Sequence, residues 1–158
     1  MAAVAAAVLA ADQVSKSLVL GAHPAGDVGP GWISVRLVRN TGASGGLASG
    51  YPLLVTLAAL AITALAAGFA LRARGPVVAV SLAAVLGGAA GNLADRLFRA
   101  PGFGRGGVVD WIHLGGRGGS MDVADIAIQL GVLGAIIAML AGERVRKTRE
   151  ARAASETR

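Results

Sequence analysis

The chain has 158 residues, of which 54% are hydrophobic and only 15% are charged. Because soluble domains carry roughly 25% charged residues, this composition argues against a water-soluble domain, and the length suits one domain. The net charge of +6 does not predict a nucleic-acid partner, since the basic C-terminal tail lacks interleaved aromatic residues and directly follows an apolar run. We expect anionic lipid headgroups as its partner. The absence of cysteine excludes a thiol nucleophile, structural disulfides and lipidation through the chain's own Cys.

Four apolar stretches approach the length of about 20 residues that a membrane-spanning helix needs. In chain order they are residues 2–20, 52–71, 76–93 and 123–141. The first contains Asp12, Gln13 and Lys16 but no basic residue at its start, so it does not have the form of a signal peptide and we interpret it as a retained helix. The sequence therefore predicts an all-α membrane protein with four transmembrane helices. It further predicts an integral membrane domain over residues 1–142 and a basic, disordered cytoplasmic tail over 143–158.

The distribution of basic residues indicates the orientation, because short cytoplasmic loops carry an excess of Lys and Arg. Arg72 and Arg74 lie between the second and third predicted helices, and six basic residues follow Gly142. An even number of spans places both termini on the same side. We therefore expect both termini in the cytoplasm, and the longer connections, residues 21–51 and 94–122, outside. These outer connections also contain arginines.

The first outer connection has a pattern typical of a short strand. Residues 32–38, Trp-Ile-Ser-Val-Arg-Leu-Val, are rich in β-formers and lie between Gly- and Asn-containing turns. We expect a small extracytoplasmic β element between helices 1 and 2, lying on the membrane surface. Small residues at 42–47 would let the backbone approach an extended peptide, and those at 87–91 would permit tight helix packing.

Ionisable residues within apolar segments are costly and usually paired. Asp12 and Lys16 are four positions apart and share one helix face, which predicts a structural ion pair. Asp95 and Arg96 are adjacent, so they point in different directions and need different partners. For Asp95 and Arg96 we expect a role in organising a site.

Two further aspartates are candidates for chemistry. Asp110 lies among apolar residues, and Asp125 immediately precedes the apolar run 126–141. Separately, each fits a structural role. For Asp125 this role is a negative charge at a helix N-terminus, which the helix dipole favours, although Asp122 would be the better cap there. Together, two nearby carboxylates can divide the roles of base and acid, one ionised and one protonated.

Five sequence blocks resemble, in order, the motifs of bacterial lipoprotein signal peptidase, the type II signal peptidase. They are residues 12–16 (DQVSK), 40–44 (NTGAS), 91–96 (GNLADR), 108–112 (VVDWI) and 123–125 (VAD). The resemblance spans nearly the whole chain. Any one block would be a weak signal, whereas five in order with the same arrangement of spans are specific.

The resemblance implies a membrane aspartyl endopeptidase with Asp110 and Asp125 as its catalytic dyad and with no metal or other cofactor. Such enzymes lie in the bacterial cytoplasmic membrane with the active site facing outward. They remove signal peptides from diacylglyceryl-modified prolipoproteins by cleaving before the lipidated cysteine. Asn92 and Arg96 are then candidates for binding the substrate, and Asn40 and Gly42 for lining the outer side of the site.

Two segments depart from the family pattern. Gly45 replaces the usual aromatic residue, which would loosen a loop that covers the substrate. Met121-Asp122 replaces the usual Phe-Asn, which places a third carboxylate beside the dyad. Like-charge repulsion from Asp122 should raise the pKa of a neighbouring carboxyl group.

Three other functions stay open from the residues themselves. A serine–lysine peptidase would use Lys16 with Ser44 or Ser120. An ion channel or small transporter would use the intramembrane charges as a path, and a scaffold would need none of these residues for chemistry. A zinc site is disfavoured because His23 and His113, which we expect in solvated loops, lack the His-Glu-x-x-His spacing.

Overall fold

A computed structural model describes residues 1–22, 27–43, 46–115 and 119–156. These residues form four helices and three strands: α1 Ala2–Ala22, β1 Ile33–Asn40, α2 Pro52–Leu71, α3 Pro76–Phe98, β2 Val108–Leu114, β3 Ser120–Met121 and α4 Val123–Glu156. All four helices in this described part of the chain are long and apolar enough to cross a membrane. The predicted fold class, a four-helix membrane protein with a small β element, is confirmed.

Two helices extend beyond the ends that the sequence predicts. Helix α3 continues past residue 93 to Phe98, so Asp95 and Arg96 lie on its last turns. Helix α4 continues past Gly142 to Glu156, where we expected a disordered tail. Good helix formers in this segment and an ion pair of 2.9 Å between Glu143 and Lys147, four residues apart, favour the helical backbone. The domain division at Gly142 and the cytoplasmic location of the tail stay predictions.

The sheet draws its strands from both longer connections. Its order is β1-β2-β3, and both pairs are antiparallel. Strand β1 matches the predicted strand, whereas β2 and β3 were not predicted, although Val108, Val109, Trp111 and Ile112 are typical strand residues. Because Val38 pairs with Asp110 and Asn40 with Val108, the sheet places Asp110 beside the end of β1.

Helix α3 is the centre of the bundle and packs against α1, α2 and α4. Its glycines permit this close approach, as the sequence predicts. A Cβ atom at Gly88 would lie 2.5 Å from the carbonyl oxygen of Ala124 and 2.9 Å from the side chain of Ile128. The interior contains small residues such as Ala83 and Ala124, while Leu65, Leu130 and many other large apolar side chains remain exposed. This distribution suits a bundle surrounded by lipid, where interfaces favour small residues.

We predict that Gly88→Ala destabilises the bundle by about 1–3 kcal/mol, since the added methyl group forces α3 and α4 apart. The matched control is Gly68→Ala in α2, where a new Cβ would approach only the end of the Arg72 side chain, at 3.5 Å. This control should leave stability unchanged or raise it slightly through helix propensity. Thermal unfolding in detergent measures both variants, and equal unfolding temperatures would contradict the close α3–α4 packing.

Candidate active site

The sheet and α4 bring Asp110 and Asp125 together. Asp110 lies on β2 and Asp125 in the first turn of α4. Carboxylate oxygens of Asp110, Asp125 and the neighbouring Asp122 all lie within 4.8 Å of one another. Sequence positions 15 residues apart thus converge on a single cluster of acidic groups.

Two asparagine side chains hold the two candidate carboxylates. The Asn40 amide donates to Asp110 Oδ2 at 3.3 Å, and the Asn92 amide donates to Asp125 Oδ1 at 3.0 Å. Asp110 is only 3% exposed, and its Oδ1 has no hydrogen-bond partner among the described residues. An unpaired buried oxygen of this kind is suited to hydrogen bonding with a substrate or a reacting water.

Asp110 differs from an ordinary aspartate in its affinity for a proton. Burial, reinforced by the negative charges of Asp122 and Asp125, raises the pKa of Asp110 to about 7, against the lowering effect of the Asn40 hydrogen bond. The carboxyl group is therefore partly protonated and partly ionised near neutral pH. A group with such a pKa can act as a proton donor or acceptor at that pH.

Asp122 forms the N-terminal cap of α4, as the sequence suggests. Its Oδ1 accepts the backbone N–H of Asp125 at 2.8 Å, the contact that an N-cap side chain makes with the third helical residue. Asp122 is fully buried. Burial raises the pKa of Asp122 to about 6, although Lys16 opposes this shift.

Lys16 lies in a buried cluster that is larger than the predicted ion pair. Its ammonium nitrogen lies 2.8 Å from Asp12, 2.9 Å from Asp95 and 2.6 Å from Asp122. It also donates to the side-chain oxygen of Asn92 at 3.1 Å. Lys16, Asp12, Asp95 and Asp122 are all 0% exposed. One cation therefore links α1, α3 and the start of α4, and we refer to Lys16, Asp12, Asp95 and Asp122 as the Lys16 cluster.

The Lys16 cluster also fixes the backbone beside each candidate catalytic residue. Asp95 Oδ2 accepts the N–H of Val109, which precedes Asp110, and Asp12 Oδ1 accepts the N–H of Ala124, which precedes Asp125, both at 3.1 Å. The two carboxylates that face Lys16 from α1 and α3 thus also hold the chain on either side of the dyad.

Two members of this network were missed from the sequence. Gln13 donates to Asp12 at 3.0 Å and to Asp95 at 3.1 Å. Arg99 lies 2.5 Å from Asp95, one helical turn away. The i,i+4 spacing of Asp95 and Arg99 was a usable signal, whereas Gln13 was noted only as a polar residue in an apolar run.

Arg96 ties the loop after β1 to α3. Its guanidinium donates to the carbonyl oxygen of Gly42 at 2.6 Å, and the Gly42 N–H donates to the Asn40 side chain at 3.0 Å. A Cβ at Gly42 would lie 2.5 Å from the Leu47 carbonyl oxygen, so this close loop needs glycine. Arg96 Nη1 is buried and has no hydrogen-bond partner among the described residues. The loosening expected from Gly45 falls outside those residues.

Two cavities lead to the candidate dyad. One, of about 360 Å³, lies between α2, α3 and α4, and its walls include Ile62, Asn92 and Arg96. The other, of about 670 Å³, lies along the sheet and is lined in part by Val38 and Met121. Asp110 and Asp125 line both cavities. The acidic pair can therefore be approached from the helices and from the strand edges.

The residues needed for a serine–lysine peptidase are not brought together in the described part of the chain. Lys16 contacts carboxylates and Asn92, while Ser120 Oγ lies 3.1 Å from His113 Nδ1. Ser44 falls outside the described residues. His113 is a half-buried residue of β2, so its predicted loop position is wrong, because strand pairing with β1 and β3 was not anticipated. His23, the other predicted loop histidine, also falls outside the described residues.

The convergence of Asp110, Asp122 and Asp125 does not by itself require a metal. The Lys16 ammonium faces this group at 2.6 Å from Asp122, and the Arg96 guanidinium lies near Asp110 and Asp125. We assign no metal to the site, and the absence of a cofactor stays a prediction.

Comparison with known proteins identifies relatives over most of the chain. Residues 4–141 match the family model for signal peptidase (SPase) II. The lipoprotein signal peptidase of Rhodococcus jostii is 38% identical over 88% of this chain and 71% of its own length. That of Bifidobacterium adolescentis is 39% identical over 90% of this chain and 76% of its own length. A solved bacterial membrane enzyme is 26% identical and has a TM-score of 0.74, covering 87% of this chain and 85% of its own.

We predict that Lys16→Met destabilises the protein by about 3–5 kcal/mol, because it leaves the carboxylates of the cluster without their shared cation. Lys147→Met is the matched control, since Lys147 is 68% exposed and pairs only across one helical turn with Glu143. Such a surface pair contributes little. Unfolding temperature in detergent at pH 7 measures both, and similar values for the two variants would contradict a structural role for the buried ammonium.

Proposed function

The chain belongs to the signal peptidase II family, and from this premise we propose that it is an aspartyl endopeptidase acting on diacylglyceryl-modified prolipoproteins. It cleaves the signal peptide just before the lipidated cysteine. Asp110 and Asp125 form the catalytic dyad. The observation that carries the proposal is the convergence of these two carboxylates, one buried and one half-buried and each held by an asparagine, at two cavities.

The two carboxyl groups divide the proton transfers. A water between them attacks the scissile carbonyl carbon while ionised Asp125 takes a proton from it. Protonated Asp110 donates a hydrogen bond to the carbonyl oxygen, which develops negative charge. The C–N bond then breaks, and the departing nitrogen takes the proton from Asp125. The raised pKa of Asp110, about 7, supports its assignment as the protonated partner.

The surroundings of the dyad support a substrate that is part peptide and part membrane-embedded. The cavity along the sheet runs beside β1 and β3, and the edges of these strands suit an extended peptide around the cleaved bond. The cavity between the helices has apolar walls, including Ala59, Ile62 and Ile128, that suit a signal-peptide segment or lipid chain. The unpaired Nη1 of Arg96 is then available to a carbonyl or ester oxygen of the substrate.

We also propose that the enzyme lies in the bacterial cytoplasmic membrane with the dyad facing outward and both termini in the cytoplasm. The basic residues in the α2–α3 connection and after Gly142 support this orientation. The sheet, which lies in the longer connections, and the dyad are at the ends of the helices opposite to these basic residues.

We predict that an alkaline phosphatase fused after Gly104 is active and one fused after Arg158 is inactive, because this reporter needs an oxidising compartment to fold. A cytoplasmic reporter at the same two positions should give the opposite result. The reverse pattern would place the dyad in the cytoplasm and overturn the proposed orientation.

We predict that Asp110→Asn and Asp125→Asn each reduce cleavage of a diacylated prolipoprotein by several powers of ten, because Asn can neither accept nor donate the transferred proton. The double variant should be scarcely worse than either single variant, since members of one catalytic unit are not additive. Purified protein in detergent, checked for unchanged unfolding, provides the measurement.

The control for this assay is Asp27→Asn, which neutralises an exposed aspartate paired with Arg36 outside the site. It should cleave as the unchanged protein does. Retained cleavage by folded Asp110→Asn or Asp125→Asn protein would eliminate the aspartyl mechanism. Additive losses in the double variant would show that the two residues act independently.

A further inference from the structure

Asp122 is the one residue that belongs to both the Lys16 cluster and the acidic group at the dyad, as far as the described residues show. Its Oδ2 lies 2.6 Å from the Lys16 ammonium, and its Oδ1 accepts the N–H of Asp125 at 2.8 Å. We propose that Asp122 is a positioning residue that orients Asp125 and keeps the shared proton of the dyad on Asp110. This inference rests on the proposed function.

The orienting role follows from the two bonds. Lys16 is fixed by Asp12 and Asp95 from α1 and α3, so Asp122 is held against a rigid group. Through its other oxygen, Asp122 then fixes the first turn of α4, and with it the backbone from which the Asp125 side chain projects. Asn92 completes the arrangement, since it accepts from Lys16 and donates to Asp125.

The electrostatic role follows from the charged groups that face Asp122 and the dyad. From α1 these are Lys16 and Asp12, from α3 Asp95 and Arg96, from β2 Asp110, and from α4 Asp125. Lys16 and Arg96 favour ionised carboxylates in this group. Asp122 acts on Asp110 in the opposite direction: after burial, its negative charge is the largest influence that raises the pKa of Asp110. The negative charge of Asp122 thus counteracts the effect of Lys16 and Arg96 on Asp110, the group that holds the shared proton.

Asp122→Asn separates these roles from simple helix capping. The amide oxygen can still accept the Asp125 N–H, and Lys16 keeps Asp12 and Asp95 as partners, so the fold should survive. Asn is also the usual residue at this position in the family pattern that the sequence resembles. The substitution removes the negative charge, and the pKa of Asp110 should therefore fall.

The direction in which the pH dependence should change follows from the protonation state of the active enzyme. In that form Asp110 is protonated, so activity declines as pH rises through the pKa of Asp110, about 7. When Asp122 no longer repels a second negative charge, Asp110 loses its proton at lower pH. The alkaline limb of the kcat/KM profile, which reports the free enzyme, should move down by about one pH unit, and the ratio of kcat/KM at pH 8 to kcat/KM at pH 6 should fall about fivefold.

The experiment measures kcat and KM with a diacylated prolipoprotein in detergent between pH 5 and 9. The proteins compared are the unchanged enzyme, Asp122→Asn, Asp122→Glu and the control Asp27→Asn. Asp122→Glu keeps the charge but displaces it, so its alkaline limb should stay in place while kcat falls. Asp27→Asn should reproduce the unchanged profile.

A uniform loss of kcat in Asp122→Asn without movement of the limb would show that Asp122 is only a cap and would overturn the inference, as would an unchanged profile. If Asp122→Asn does not fold, Asp122→Ser retains an N-cap oxygen without charge, and the same shift is expected of it. The outcome is distinguishable from failure of the proposed function, because that failure would appear as cleavage by Asp110→Asn. Inactive Asp110→Asn with an unmoved limb in Asp122→Asn would overturn this inference alone.

Discussion

The architecture depends on one buried ammonium group. Lys16 joins α1, α3 and the start of α4 through contacts of 2.6–2.9 Å with the cluster carboxylates, and those same carboxylates hold the backbone next to Asp110 and Asp125. The helix interfaces of this bundle contain small residues, and its large apolar side chains face outward. Packing alone therefore does little to fix the relative orientation of the helices. The charge cluster supplies the direction, because each of its carboxylates faces Lys16 at a defined position.

Much of the fold could be predicted because membrane spans are set by local composition. The length of an apolar run predicts a helix without any knowledge of its neighbours, and Pro52 and Pro76 begin α2 and α3 as expected for the first helical position. The proximity of Asp12 and Lys16 is equally local, since four residues make one helical turn. Strand β1 was predicted from its β-branched residues and flanking turns.

What the sequence did not predict depends on contacts between distant segments. Strand β2 needs β1 as a partner, and the two belong to connections separated by two helices. Asp122 was recognised as a cap and as a third carboxylate, but its contact with Lys16 spans more than 100 residues. Gln13 gains its role only once Asp95 has been brought to α1, whereas the pairing of Arg99 with Asp95 is local to α3. The match to family motifs singled out Asp110 and Asp125 as candidates, whereas their hydrogen-bond partners depend on how the distant segments fold together.

Helix α2 has a different relation to the rest of the bundle. It packs chiefly against α3, and the side chains that hold Asp110, Asp125 and the backbone beside them belong to α1, β1 and α3. Yet Ala59, Ile62 and Thr63 of α2 form one wall of the cavity between the helices. Under the proposed function, α2 therefore shapes the space that receives a membrane-embedded substrate, whereas the positions of the two carboxylates are set by other elements of the molecule.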